Sequence, residues 1–199
     1  VLEEARLLDR ESKESDACEK YDLAADMLGE IRKGLVSKQE QNEIDLMITL
    51  TRAWRMMSKA EMEASPQAYA EANRLFDEAK ELSPTEKQKY LAMGHGWFCK
   101  ALEAGVKFSE TGDLAQHSGA SDSLENAAKF YLKAGQESAS EYARASKLLF
   151  DAYVHMSKAG KDESHDKKAK QYALAEKILQ ASAASYEKAG QMGKKRQVM

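Results

Sequence analysis

Proline and glycine are scarce in this chain: 2 and 11 among 199 residues. Collagen-like and Pro/Gly-rich low-complexity architectures are therefore excluded. Both prolines, Pro66 and Pro84, follow a serine, a pairing that starts helices rather than breaking them. The two cysteines, Cys18 and Cys99, stand far apart with no metal-type or redox-type spacing, which excludes a disulfide scaffold and fits two reduced, core-filling thiols. No apolar run approaches the length of a membrane span, and no charged-then-apolar leader is visible. A soluble, cytoplasmic protein is expected. Net charge is small, -3, with a pI near 5.9, so no broad field draws the chain to nucleic acid or anionic lipid. Its one basic cluster, Lys194-Lys195-Arg196, reads as solvated surface.

What is present is helix-forming material. Ala, Glu, Lys, Leu and Met are abundant and β-branched residues few. Ala17, Tyr21, Ala24, Met27, Leu28 and Ile31 form a stripe at helical spacing, with Gly34 placed to stop it. Ser37 with Glu40 reads as a capping box opening a helix to about Ala64. Apolar residues cover more than half the girth of that helix, so it should lie between neighbours. Ser65-Pro66 starts a third helix, and Ser83-Pro84 with Glu86 a fourth. Gly94 and Gly96 lie inside the fourth, each unfavourable by about 1 kcal/mol relative to Ala. Close approach of a neighbouring helix, or of a large side chain such as Trp54, is the expected compensation. Residues 111–123 hold Gly, Asp, Ser and Thr in density and read as one long connector. Three further helices follow, at about 122–135, from Ser138-Glu141 to Gly160, and from about Ser164 to Gly190. Beyond Gly190 a short turn or fraying is expected.

A pentapeptide style recurs at helix ends: Tyr131-Leu-Lys-Ala-Gly135, Met156-Ser-Lys-Ala-Gly160 and Tyr186-Glu-Lys-Ala-Gly190, 25 and 30 residues apart. Met57-Ser-Lys-Ala60 lacks only the glycine. The large residue packs inward, Lys suits the negative end of the helix dipole, and Gly takes the left-handed position past the helix. Such self-similarity predicts stacked helical hairpins. Ala72, Leu75, Phe76, Ala79, Leu82 and Pro84 together resemble the second helix of a tetratricopeptide repeat; Ala127, Ala128, Tyr131 and Ala134, and Ala183, Tyr186 and Ala189, are similar. They also resemble the microtubule-interacting-and-transport domain and the helical attachment proteins of vesicle fusion. Several helices here are longer than a two-helix repeat of that kind holds, and its early Trp and Leu-Gly are missing. The resemblance implies a peptide- or protein-binding scaffold without catalysis.

The fold expected is all-α: antiparallel hairpins stacked as a short right-handed α-solenoid, with about seven or eight helices, in one domain over 1–199. The chain begins at Val1 and reads as part of a longer protein. No catalytic, cofactor or metal constellation stands out. His95, His117, His155 and His165 make no i,i+3 or i,i+4 pairs, and Asp162, Glu163, His165 and Asp166 read as a charged helix start. Asp113, His117 and a loop serine have no motif that would fix them as a triad. The expected function is a non-catalytic scaffold binding a peptide or partner helix in a groove between helices. The alternative is a regulatory or sensor domain of a larger ATPase or transcription regulator. The partner is another protein or peptide, with self-association open, no nucleic-acid contact and no membrane insertion. Trp54, Met57, Trp97, Tyr153 and Tyr186 are the candidate partner-binding residues. Trp54 sits in the most apolar helix, so its truncation is expected to be unfavourable by about 3–5 kcal/mol.

Overall fold

The structure, a computed structural model, describes residues 1–199. It is all-α, with nine helices: α1 (Leu2–Arg10), α2 (Glu14–Gly34), α3 (Lys38–Glu63), α4 (Pro66–Leu82), α5 (Glu86–Thr111), α6 (Leu114–Lys133), α7 (Glu137–Lys161), α8 (His165–Lys188) and α9 (Met192–Val198). Each helix packs on the next, in a solenoid-like succession of hairpins. The last helix also touches the first, so the stack curls far enough to meet itself. No helix is long and apolar enough to cross a membrane.

Local chemistry accounts for most boundaries. Ser65 caps α4 by accepting from the Ala68 N–H, with Pro66 at the first helical position. Thr85 caps α5 through the Gln88 N–H. The α6–α7 and α8–α9 turns share one construction. Gly135 and Gly190 adopt φ of +75° and +73°. The next residue, Gln136 or Gln191, donates its N–H back to the carbonyl of Tyr131 or Tyr186. That is the helix-ending role the repeated pentapeptide implies. The Met156–Gly160 copy differs, because α7 continues through Gly160 to Lys161.

Four other expectations are corrected. Residues 111–123 are not a connector: α6 begins at Leu114, and only Gly112 and Asp113 separate it from α5. Gly112 closes α5 at φ +66°, and the Asp113 carboxylate accepts from the Ala115 N–H. The polar composition lies on the outer face of α6, while Ala120 is buried and His117 bonds to Asp151 of α7. Tertiary packing overrides weak helix propensity there. Ser37 begins α3 without a side-chain capping bond. Ser138 is no cap, since α7 starts one residue earlier and the Ser138 hydroxyl donates to the Ala189 carbonyl. The helix count is nine because the chain breaks at Ser12, φ +57°, and because the residues past Gly190, expected as a short turn or fraying, form the seven-residue α9.

Alanine dominates the core: Ala5, Ala17, Ala53, Ala60, Ala72, Ala79, Ala101, Ala127, Ala143, Ala145, Ala152 and Ala159 have no exposed surface. Small side chains let helix axes approach, and a few large ones fill the remaining space. Phe98, Leu124 and Tyr131 tie α5, α6 and α7 together. Phe76 and Cys99 join α4 to α5 beneath Trp54. Gly94 is explained by Tyr131: a Cβ there would stand 2.7 Å from its ring. Gly96 faces Asn73 and Phe76. Trp54 is the neighbour at neither position.

Candidate functional site

The odd-numbered helices turn their faces toward a common side, where they line a half-open cavity of about 310 Å³. That lies at the small end of the range for ligand sites. Arg6, Asp9 and Arg10 enter from α1, and Trp54, Met57, Ser58 and Glu61 from α3. Leu91, His95 and Phe98 of α5 and Tyr142 of α7 continue the wall, and Lys194 of α9 completes it. Among the even helices, Tyr21 of α2 and Tyr131 of α6 reach through.

One flank of the cavity is aromatic. The His95 ring stacks on Phe76 at 4.7 Å between centroids, and meets Tyr131 edge-on at 5.1 Å and Trp54 at 6.0 Å. The Tyr131 hydroxyl lies 3.0 Å from Nδ1 of His95. Burial, reinforced by the positive charge of Arg6, pushes the imidazole pKa down to about 3, so the ring is neutral at physiological pH. Arg6 lies 4.4 Å over the Trp54 ring, a cation–π contact. Phe98 and Tyr142, 4.9 Å apart, extend the aromatic wall toward α7.

The opposite flank is ionic. Asp9 accepts from the Ser58 hydroxyl at 2.6 Å and the Tyr21 hydroxyl at 3.0 Å. Both donors are neutral, and no cation lies within ion-pair distance of its carboxylate. Burial raises its pKa to about 6, with the Ser58 bond opposing and the Glu61 charge adding to the rise. Glu61 accepts from the Lys194 ammonium, and Glu14 stands 3.9 Å from the same nitrogen. Burial disfavours charge on Lys194, but the surrounding carboxylates outweigh it and raise its pKa. The basic cluster at 194–196 is thus not simply solvated surface. Lys194 is largely buried, Lys195 pairs with Glu187 at 2.9 Å, and only Arg196 is exposed.

Of the five candidate partner-binding residues, the structure brings Trp54 and Met57 together at the cavity. Trp97 is half-buried on another face of α5, packed against the α5–α6–α7 core with Lys100 over its ring. Tyr153 is 42% exposed on α7 beside Phe150 and does not line the cavity. Tyr186 is corrected outright: it is 2% exposed, its hydroxyl 3.1 Å from that of Ser146, and so a core residue out of a partner's reach. Periodicity marks apolar stripes, and it could not tell the buried Tyr186 from a half-exposed Trp54. The polar residues facing inward, Asp9, Glu61, His95 and Lys194, have no local signature that separates them from solvated charges. No group of three or more His, Cys, Asp or Glu is arranged to hold a metal ion. Compared with protein-family models, curated proteins and solved structures, the chain matches none.

Proposed function

We propose that this protein is a non-catalytic, tetratricopeptide-like scaffold that binds a segment of a partner protein on the face formed by its odd helices. The central cavity would take one anchoring side chain of that segment. The observation that carries this reading is the composition of the cavity wall. Large aromatic surfaces stand beside polar groups, among them an Asp9 carboxylate with no cation at ion-pair distance, and both project from helices. Aromatic walls supply contact area, and a few placed polar atoms supply orientation. A volume near 310 Å³ suits a single side chain better than a whole peptide.

A photo-crosslinking amino acid at Met57 tests the proposal in cells expressing the intact chain. Met57 lines the cavity, whereas Val36, 95% exposed between α2 and α3, serves as the control. The expected result is a discrete crosslinked protein from position 57, absent from position 36 and lost when Trp54→Ala is added. Identical products from both positions would refute the reading. A second reading, a small molecule held in the cavity, is favoured by the charged wall that Lys194 of α9 adds. Native mass spectrometry of the purified chain decides between them, because only the second predicts a co-purifying mass below about 500 Da.

A further inference from the structure

The contact between α9 and the first helices is made backbone on backbone. Gly193 is buried against the turn between α1 and α2. A Cβ at that position would lie 2.5 Å from the Glu11 carbonyl carbon and 2.7 Å from the Ser12 nitrogen. These are main-chain atoms that cannot swing aside. Ser12 itself holds φ +57° there. With Gly193 seated, Lys194 points past the turn and into the cavity, where it donates to Glu61 of α3 and lies near Glu14 of α2. Arg196 donates to the Glu11 carbonyl at 3.5 Å. A helix of 7 residues does not persist alone in water, so these contacts together with α8 hold α9 in place.

Two carboxylates from two helices, Glu14 and Glu61, therefore flank one ammonium delivered by a third, and Asp9 lies beyond ion-pair distance on the same flank of the cavity. Without α9 the chain offers no cation to Glu61 within ion-pair distance. Of the other cations at the cavity, Arg6 is bonded to Glu3 and lies over Trp54, and Arg10 is exposed and pairs with neither Glu14 nor Glu61.

We propose that α9 is an internal competitor: Lys194 occupies a subsite built for an alkylammonium group, and a lysine side chain of the partner segment displaces it as α9 lifts away. This rests on the binding face proposed above and adds both its regulation and the chemistry of its ligand. The carboxylates on one side and the aromatic wall on the other suit a cation on an alkyl stem. The shut form lowers apparent affinity by the fraction of time α9 is released.

The test uses the full chain with two substitutions. In Gly193→Ala, amide hydrogen exchange of residues 193–198 should quicken about tenfold or more while α3 to α5 stay protected. Unchanged protection of α9 would overturn the latch without touching the Met57 crosslinking result. In Lys194→Ala, n-butylammonium should raise the melting temperature in a concentration-dependent way. It should leave the unsubstituted chain unmoved, and n-butanol should move neither. Equal shifts with and without Lys194 would overturn the subsite. Finally, an acetylated, amidated Ala-Ala-Lys-Ala-Ala peptide should bind Gly193→Ala about tenfold tighter than the unsubstituted chain, and the Gln analogue should not. A response to n-butylammonium without one to the peptide would overturn the partner-lysine assignment in favour of a free small amine.

Discussion

The Asp9→Asn substitution probes the cavity most directly, because two opposing titrations meet there. Asp9 has its pKa raised from 3.8 to about 6 in the folded chain. A raised carboxyl binds its proton more tightly when folded, so its stabilising effect is full below pH 3.8 and lost as pH rises through 6. His95 has the opposite sign. Its pKa falls from 6.5 to about 3, so the stability it confers is present above pH 6.5 and lost as pH falls. Integrated from pH 7.5 to 5, Asp9 gains about 1.4 kcal/mol and His95 loses about 2 kcal/mol. The surface carboxylates Glu4, Glu11, Glu71 and Glu125 are held below their ordinary value by neighbouring Lys or Arg, and act mainly below that window. The unsubstituted chain should therefore lose less than about 1 kcal/mol between the two pH values. Asp9→Asn removes the compensating gain and leaves the histidine, so it should lose about 2 kcal/mol. Urea melts of both proteins at pH 7.5 and 5 give the double difference. If both respond equally to pH, Asp9 titrates as an exposed carboxyl and the ionic flank of the cavity is not as described.

Other substitutions probe the packing. Gly94→Ala drives a Cβ into the buried Tyr131 ring and should destabilise by about 1–3 kcal/mol. Gly29→Ala, in α2 with open space around it, should stabilise by about 0.5–1 kcal/mol, both read by denaturant melts. Trp54→Ala should destabilise by about 2 kcal/mol, less than a fully buried tryptophan would, because part of the ring faces the cavity. A change below about 0.5 kcal/mol would place the ring in solvent. Cys99 is fully buried, and burial pushes its thiol pKa up. A thiol reagent should therefore modify the half-buried Cys18 in the native chain and reach Cys99 only on unfolding. Two fast thiols would contradict the α4–α5 packing.

Helix identity was legible in the sequence because its signals are local. Pro66 after Ser65 starts a helix within one turn, and Gly135 and Gly190 end helices through bonds spanning a few residues. The pentapeptide recurring at helix ends announced stacked hairpins. Legibility failed where burial overruled composition, as at Leu114–Ser123, whose serines are tolerated because Ala120 and His117 are held by neighbours. It failed again for side chains whose surroundings come from distant segments. Asp9, Glu61, His95, Tyr131 and Lys194 share one cavity although they are spread along almost the whole chain. Whether they meet depends on curvature accumulated over eight helix-to-helix contacts, which no local pattern records. The sequence alone determined that this chain is a row of amphipathic helices. The tertiary structure decided that the row bends until α9 meets α1, and so which charged residues lie inside the bend and which face solvent.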